Sequence, residues 1–351
     1  MSTATITPSD RPTRTPPVRD GGALATGLGV LAVILLVTVI GSITLGSRSI
    51  TLGTIIDAFT NFDPSSTPQT VVRDMRVPRT LLGLLVGAAL GLSGALLQGV
   101  TRNPLADPGI MGINAGAAAF VVLGISVLGI RDVGGYVWLA LAGAAFATVV
   151  VYSVASLGRE GATPVKLALA GAAVTAGLSS ITTGIVMTDL DALNEMRFWQ
   201  VGSLGGRYIP VFWQVLPFIV IGLVMAMACG RSLNGLALGD DTARALGQRV
   251  GVTRSMIFLT VTILCGAGTA ACGPIVFVGL VVPHITRAIC GPDYRWILPY
   301  SLILTPAIFL AADVFGRLIL SPGELEVGVV LGILGAPAFV ALVRYRNLAE
   351  L

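Results

Sequence analysis

The stretch Ser255–Thr286 reads SMIFLTVTILCGAGTAACGPIVFVGLVVPHIT and contains no Asp, Glu, Lys or Arg. Its 32 residues are too many for one membrane crossing, because a helix spans the hydrocarbon layer with about 20 apolar residues. Gly273 and Pro274 lie in its middle, where a helix is expected to break. The stretch therefore counts either as one crossing or as two crossings that meet at this Gly-Pro pair.

The rest of the chain is also strongly apolar. Of its 351 residues, 54% are hydrophobic and 11% are charged, and the mean hydropathy is +0.87. A water-soluble domain carries about 25% charged residues, so this composition excludes an ordinary cytoplasmic enzyme and a nucleic-acid-binding protein. The other charge-free runs suited to crossing lie at 21–47, 80–101, 108–130, 133–158, 167–188 and 208–230, with two shorter runs near 296–312 and 327–343.

The distribution of Lys and Arg decides between nine and ten crossings, because these residues are retained on the cytoplasmic side. With ten crossings and the N-terminus inside, 14 of the 22 cations lie inside and 8 outside, whereas nine crossings give 11 on each side. We therefore predict an all-α polytopic membrane protein with about ten transmembrane helices and both termini cytoplasmic. Residues 1–20, rich in Thr, Pro and Arg, are predicted to form a disordered cytoplasmic tail, and residues 21–351 one transmembrane domain.

Two stripes of small or polar residues follow helical spacing within the predicted spans. Small residues let neighbouring helices pack closely, and hydroxyl groups can bond back to their own helix. The alternative interpretation is a wide, neutral permeation path lined by these residues. The first stripe consists of Gly83, Gly87, Gly91, Gly94 and Gln98, and the second of Gly171, Thr175, Ser179 and Thr182, with Ser180 and Thr183 adjacent to it.

The energy source for transport is constrained by the scarcity of membrane-embedded charge. Ion coupling normally needs an intramembrane carboxylate, and the nearest candidate, Asp313, lies four residues before Arg317, where an intrahelical ion pair can form. The chain has no GxxxxGK followed by Ser or Thr, and its one lysine, Lys166, follows no glycine-rich loop. An ATP-driven cycle would therefore use a separate ATPase. An ion-coupled secondary transporter is the alternative from another class.

A membrane-embedded redox protein is a third class, and the sequence does not favour it. The single histidine, His284, cannot supply paired imidazoles for a haem. The four cysteines form no CxxC pair, and small apolar core residues are the expected interpretation. We expect this chain to bind no metal and no cofactor of its own.

The segment after the sixth predicted span reads LALGDDTARALG and is typical of a short amphipathic helix. It is either a docking site for a partner or a solvated loop. The predicted features are Asp240 or Asp241 as the helix cap, Ala243 and Leu246 as an apolar edge, and Gly247 as the helix end.

Three arginines lie at span ends on the predicted outer side, against the cytoplasmic bias: Arg76, Arg79 and Arg317. They are either anchors at the lipid headgroups or recipients of acidic side chains from an external protein, a role suited to the forked guanidinium.

Several motifs with matching order and spacing resemble those of the FecCD-type permeases, the membrane subunits of ABC importers for ferric siderophores, haem and vitamin B12. The resemblance covers nearly everything from Thr51 to the C-terminus. The motifs are Arg76–Thr80 (RVPRT), Gly87–Gln98 (GAALGLSGALLQ), Arg102–Gly109 (RNPLADPG), Leu236–Gly239 (LALG), Ala243–Gly247 (ARALG), Gly279–His284 (GLVVPH), Ala312–Asp313 and Gly332–Pro337 (GILGAP).

The resemblance implies a permease of the type II ABC importer class in a bacterial cytoplasmic membrane. Such a subunit dimerises around a central path, with a second copy or a paralogue, and works with two cytoplasmic ATPases that use ATP and with an extracytoplasmic solute-binding protein. Its expected cargo is a ferric siderophore, with vitamin B12 or haem as the alternative.

The resemblance also implies roles for particular residues. Arg76, Arg79 and Arg317 are expected to face carboxylates of the binding protein. Ser179 and Ser180 fall where the family narrows its path, on the fifth helix. Residues 236–251, called the coupling segment below, are expected to lie in the ATPase groove. Its expected contact residues are Leu238, Gly239, Asp240, Ala243, Arg244, Leu246 and Gly247.

Overall fold

The computed structural model describes residues 20–47, 50–130, 132–157 and 163–345. Residues 1–19 of the predicted tail lie outside the described residues, as do residues 346–351. Within the described ranges the regular structure consists of fifteen α-helices, one π-helical turn at Val71–Arg76 and one 3₁₀ turn at Pro108–Met111. The α-helices are α1 (Gly21–Thr44), α2 (Leu52–Thr60), α3 (Thr67–Thr70), α4 (Val77–Thr101), α5 (Ile113–Leu128), α6 (Val133–Ala155), α7 (Pro164–Thr188), α8 (Leu190–Gln200), α9 (Ile209–Ala228), α10 (Gly230–Ala237), α11 (Asp240–Ala245), α12 (Val250–Cys272), α13 (Val278–Cys290), α14 (Tyr294–Ile319) and α15 (Val327–Tyr345).

Seven helical stretches in the described ranges are long and apolar enough to cross a bilayer. They are α1, the continuous stretch Thr67–Thr101 that ends in α4, and α6, α7, α9, α12 and α14. Three shorter apolar helices, α5, α13 and α15, accompany them. These helices lie where the spans were predicted, which confirms an all-α polytopic membrane fold. The remaining short helices connect them. The cytoplasmic placement of both termini stays a prediction.

The break in the decisive stretch lies at the predicted Gly-Pro pair. α12 ends at Cys272, and Gly273 follows with φ of +80°, a backbone conformation that favours glycine. After Pro274 the chain turns again at Phe277, whose φ is +68°, and α13 begins at Val278. The stretch therefore forms two helices, as ten spans require. Because α13 has 13 residues, it is only about 20 Å long and reaches part of the way across a bilayer.

α4 is the central helix of the bundle. In the most apolar part of Thr67–Thr101, 83% of the residues are buried inside the protein. The corresponding share is 11% for α1 and 17% for α7. α9, α12, α13 and α14 pack around α4. The helix has about 1.5 Å of rise per residue, so its 25 residues cover about 37 Å. It therefore connects the two ends of the bundle through the core.

α1 lies on the outside of the bundle, against α14. The hydroxyl of Tyr300 on α14 donates to the carbonyl of Leu24, at 2.7 Å. Any side chain at Gly27 would collide with the Tyr300 hydroxyl oxygen, so glycine permits this approach. Elsewhere α1 exposes large apolar side chains such as Val33 and Leu36, as expected of a helix that faces lipid.

Candidate functional site

A buried ion-pair network joins α4 to α14 near the predicted outer side. Arg79 Nη2 lies 2.8 Å from Asp313 Oδ1, and Arg317 Nη2 lies 3.1 Å from Asp313 Oδ2. Asp313 is completely buried. The Arg79 guanidinium also donates to Glu324 Oε2, at 2.6 Å. The expected pair between Asp313 and Arg317 is therefore confirmed, and Arg79 is a second partner that helical spacing alone could not indicate.

The same region holds the C-terminal end of α1, whose last carbonyls have no partner within the helix. Arg76 Nη1 donates to the carbonyls of Ile43 and Thr44, at 2.8 and 2.7 Å. Arg317 Nη1 donates to those of Ser42 and Leu45, both at 3.0 Å. Cations at a helix C-terminus are favoured by the helix dipole. Arg76, Arg79, Asp313, Arg317 and Glu324 are called the arginine cluster below.

A cavity of about 500 Å³ opens beside the arginine cluster. Arg76, Arg79, Arg317 and Glu324 all line it, so the three arginines predicted from the sequence are brought together on one wall. They are mostly buried, with 6%, 8% and 2% of their surfaces exposed. The structure thus holds these guanidinium groups in place from within the protein, at the edge of a cavity. That they receive carboxylates of another protein stays a prediction.

Two lining residues were missed by the sequence analysis. Glu324 lies in the turn after α14 and reaches Arg79 only through the fold. Arg207 lies between α8 and α9 and also lines the cavity. Burial lowers the pKa of the Arg207 guanidinium, and its Nε has no hydrogen-bond partner among the described residues. The sequence gives one indication of Arg207 as a site residue, because it is one of the few cations on the predicted outer side. These four arginines outnumber the three carboxylates that interact with them, those of Asp313, Glu324 and Glu326, so the cavity favours an anion.

The first stripe lies in the interior of the bundle. A Cβ atom at Gly87 would lie 2.7 Å from the Pro306 Cα on α14, and one at Gly91 would collide with Thr305. A Cβ at Gly94 would collide with the carbonyl oxygen of Gly279 on α13. The three glycines therefore allow close contact between helix backbones, and the geometry supports the packing alternative.

Gln98 is also buried, with 2% of its surface exposed. Its Nε2 donates to the carbonyl of Leu280, at 3.1 Å, and its Oε1 accepts from the Arg287 guanidinium. Because these contacts use both ends of the amide, Gln98 links α4 to α13. The side chain is enclosed between these helices, and a role of the first stripe in a permeation path stays a prediction.

The second stripe lies on α7, which is mostly exposed on this subunit. Ser179 and Ser180 are exposed, whereas Thr182 is buried and Thr175 is half-buried. The hydroxyls of Ser180 and Thr182 bond back to carbonyls of their own helix, at 2.9 Å each. The hydroxyl of Thr175 is buried and has no partner within the described residues. α7 therefore presents a face of small residues to whatever lies beside the subunit, and its role in a path stays a prediction.

The coupling segment contains the predicted short helix, α11, between α10 and α12. Gly247 follows it with φ of +80°, as predicted for the helix end. The cap differs from the prediction: the N-cap is Gly239, with φ of +108° and no side-chain cap bond. Asp240 and Asp241 lie in the first turn instead. Their carboxylates are directed at arginines, and a charge-assisted bond to a guanidinium is stronger than a neutral one.

Asp240 is the centre of an ion-pair network that involves three arginines. The Arg102 guanidinium contacts Asp240, and the Arg254 Nη2 lies 3.0 Å from its Oδ1. The Arg244 Nη2 lies 4.0 Å from its Oδ2. Arg102 has φ of +49° at the end of α4, and its Nε donates to the carbonyl of Leu236, at 2.8 Å. Asp240 therefore ties α11 to the end of α4 and to α12.

The outward face of the coupling segment differs from the predicted apolar edge. Ala243 is completely buried against the protein, whereas Leu246 is 64% exposed. The second exposed apolar side chain is Leu238, which is 65% exposed. Arg244 and Asp241 are exposed beside them and pair with each other, at 2.8 Å. The face presents two leucines and a polar margin, a composition suited to a groove on another protein.

His284 and the cysteines form no metal site in the part of the chain that the structure describes. The Nε2 of His284 lies 2.8 Å from the carbonyl of Pro104, in the RNPLADPG motif. Among the described residues, no group of three or more His, Cys, Asp or Glu side chains is placed to hold a metal ion.

Comparison with known proteins gives a consistent family. The FecCD transport family model matches residues 34–345. The chain is 44% identical to the ferric enterobactin transport system permease protein FepD of Escherichia coli (strain K12), over 91% of this chain and 95% of that protein. It is 43% identical to the Fe(3+)-citrate import system permease protein YfmD of Bacillus subtilis (strain 168), over 81% and 84%. A solved structure described as an inward-facing conformation of a metal-chelate type ABC transporter superposes with a TM-score of 0.80 and 25% identity, covering 92% of this chain and all of that one.

Proposed function

The chain belongs to the FecCD transport family, and on that premise we propose that it is the membrane permease subunit of an ATP-driven importer of a ferric siderophore. A binding protein delivers the chelate on the outer side, and separate cytoplasmic ATPases supply the energy. The subunit pairs with a second copy or a paralogue in the cytoplasmic membrane of a bacterium. The cargo assignment is supported by relatives such as the ferric enterobactin permease, and vitamin B12 or haem is not favoured.

The observation that carries this proposal is the placement of the two candidate contact sites on one helix. α4 begins next to Arg76 and Arg79, beside a cavity whose charge favours an anion. It ends at Arg102, which contacts Asp240 of the coupling segment. A partner that docks at one end and a partner that docks at the other would therefore act on the same rigid element.

The proposed cycle follows from this placement. Acidic side chains of the binding protein approach the arginine cluster, where guanidinium groups are already oriented. ATP-driven closure of the ATPases moves the coupling segment, and the salt bridges of Asp240 pass this movement to α4 and α12. The exposed small residues of α7, together with those of the second subunit, line a path that holds cargo weakly, because cargo held tightly would not be released.

An ion-coupled secondary transporter is not favoured. Its best candidate for proton or cation binding was Asp313, whose carboxylate is engaged by two guanidinium groups. Both carboxylate oxygens are already used in these ion pairs, one of which joins α4 to α14. Asp313 is therefore poorly suited to bind and release a coupling ion during transport.

The test is uptake of ⁵⁵Fe by a strain from which this gene is deleted and then restored. We expect restored uptake of a ferric siderophore, with ferric enterobactin, ferric citrate and a ferric hydroxamate as the panel and radiolabelled cyanocobalamin as the comparison. Uptake should stop when the Walker A lysine of the partner ATPase is replaced so that the ATPase is inactive. Uptake that continues without a working ATPase, or cobalamin uptake without iron uptake, would overturn the proposal.

A further inference from the structure

A second cavity, of about 280 Å³, lies where α9 ends, α10 begins and α14 begins. Two arginines, Arg231 and Arg295, line it together with apolar side chains that include Met227, Leu298 and Pro299. It belongs neither to the arginine cluster nor to the outward face of the coupling segment. Its size lies just below the usual range for small-molecule sites.

The charge of this cavity is positive and only partly compensated. The Arg295 guanidinium is held by Asp293, with Nη2–Oδ2 of 2.8 Å and Nε–Oδ2 of 3.0 Å. Asp293 is a fixed anion, because its hydrogen bonds with Arg295 lower its pKa to about 2. Arg231 is exposed and has no hydrogen bond or ion pair with any described residue. One unmatched guanidinium therefore remains, at a site where Arg295 is already oriented.

The cavity lies at the end of an apolar surface. On α9 the residues that lead to it are exposed and large, with Ile221 54%, Val224 66% and Met227 40% exposed. On α14, Trp296 is half-buried in the first turn, and tryptophan is enriched where the hydrocarbon layer meets the headgroups. The surface thus changes from apolar to cationic over one helical turn. A phospholipid has the matching arrangement, with apolar acyl chains next to an anionic phosphate.

We propose that this cavity binds the headgroup phosphate of an anionic phospholipid. The phosphate is held by Arg231 and Arg295, since guanidinium groups pair with phosphate through two parallel hydrogen bonds. The acyl chains follow the apolar surface of α9 past Met227 and Val224. Basic pockets between transmembrane helices on the cytoplasmic side are known lipid sites, and this one lies on the same side as the coupling segment.

The site has a connection to the coupling segment through α10. Asn234 on α10 donates to Asp293 Oδ1, at 2.6 Å, and accepts from the backbone N–H of Tyr294, at 2.9 Å. α10 leads directly into the turn at Gly239 that begins α11. A lipid bound between α9, α10 and α14 would therefore stabilise the arrangement from which the coupling segment projects. This inference does not depend on the identity of the cargo.

The test uses the permease purified with its ATPase in detergent and analysed by native mass spectrometry. Dioctanoyl phosphatidylglycerol is titrated against dioctanoyl phosphatidylcholine, with inorganic phosphate as a competitor. We expect Arg231→Gln to weaken phosphatidylglycerol binding about fivefold, the effect of removing one cation near an anionic headgroup. Arg231→Lys should keep most of the affinity. The matched control is Arg73→Gln, at an exposed arginine on the predicted outer side, which should bind as the unmodified protein does.

Three results would overturn the proposal. The first is equal phosphatidylglycerol affinity with and without Arg231, and the second is equal affinity for phosphatidylglycerol and for the zwitterionic phosphatidylcholine. The third is displacement of the lipid by inorganic phosphate at the same concentration, because that result would identify a site for a free anion. Because the Arg231 side chain is exposed, its replacement should leave the melting temperature of the lipid-free protein unchanged. A lower melting temperature in Arg231→Gln with unchanged lipid binding would likewise count against the assignment.

Discussion

Arg79 on α4 and Asp313 on α14 form a buried ion pair, with Nη2–Oδ1 of 2.8 Å, although 234 residues separate them in the sequence. The pair joins the central helix of the bundle to its longest neighbour. Arg317 shares the same carboxylate. Asp313 is therefore the shared counterion of two buried guanidinium groups.

The first prediction concerns this shared carboxylate. Asp313→Asn leaves two buried cations without their main counterion, and removing one partner of a buried pair costs about 3–5 kcal/mol. We expect a clear fall in the melting temperature of the purified protein and poor recovery from membranes. The matched control is Glu324→Gln, whose side chain is 34% exposed and whose loss should cost about 1 kcal/mol or less. Equal melting temperatures for the two variants would contradict this account.

The second prediction concerns docking. Arg76→Gln should weaken binding of the partner binding protein at least tenfold, because truncating one member of an interfacial charge pair costs about 2–5 kcal/mol. The measurement is affinity for the permease in nanodiscs at low and high salt. Arg73→Gln is the control, since Arg73 is exposed and stacks on Phe62, with 4.5 Å to the ring centroid, outside the cavity. A similar loss in both variants would indicate general electrostatic attraction instead of a site at Arg76.

The third prediction concerns Glu324, which occupies the Arg79 guanidinium in this structure. An approaching carboxylate has to share Arg79 with Glu324 or displace it. Glu324→Gln should therefore strengthen binding of the partner binding protein about threefold to tenfold in the same nanodisc assay. Weaker binding in this variant would show instead that Glu324 orients Arg79 for docking.

The fourth prediction separates two adjacent aspartates in the coupling segment. Asp240→Asn removes the carboxylate that joins Arg102 and Arg254, so we expect iron uptake to fall at least tenfold while the ATPase still copurifies. Asp241→Asn is the matched control, because the Asp241 side chain is fully exposed and pairs only with Arg244 within the described residues. It should keep more than half of the uptake.

The readout that distinguishes positioning from folding is the ATPase rate with and without the binding protein. In Asp240→Asn we expect the basal rate to persist and the stimulation by the binding protein to be lost. Preserved stimulation would show that α11 is held adequately by Ala243 and the backbone. Asp240→Glu should recover part of the stimulation, since it restores the charge.

The fifth prediction concerns the closest approach of two helices. Gly94→Ala places a methyl group against the carbonyl of Gly279, which is backbone and cannot move aside. We expect a destabilisation of about 3 kcal/mol or more, measured as a lower melting temperature. Gly29→Ala is the control, because a Cβ there meets nothing within 4 Å and alanine favours a helix. A tolerated Gly94→Ala would mean that α4 and α13 separate more readily than this packing indicates.

Much of the fold could be predicted because its signals are local. Charge-free runs gave the positions of the apolar helices, and Gly273 with Pro274 gave the break between α12 and α13. The boundaries were less accurate where a turn is also apolar. The run at 108–130 begins with a 3₁₀ turn and Gly112, with φ of +72°, so α5 begins only at Ile113.

The candidate site was predicted only in part because its contacts are not local. Arg79 and Arg317 were visible as cations at span ends, but their common partner Asp313 and the approach of Glu324 depend on how helices pack. The cap of α11 was predicted wrongly for a related reason. Aspartate favours N-caps when it has no stronger partner, and here Asp240 contacts guanidinium groups from α4 and α12.

The fixed length of α4 has a consequence for how this protein can vary. One inserted residue in a helix rotates everything beyond it by about 100° and shifts it by about 1.5 Å. Such an insertion would turn Arg102 away from Asp240 if Arg79 kept its place beside Asp313. Neighbouring side chains can compensate for substitutions between these two arginines, but they cannot compensate for insertions or deletions. Natural variants should therefore differ in the residues of this interval and agree in its length.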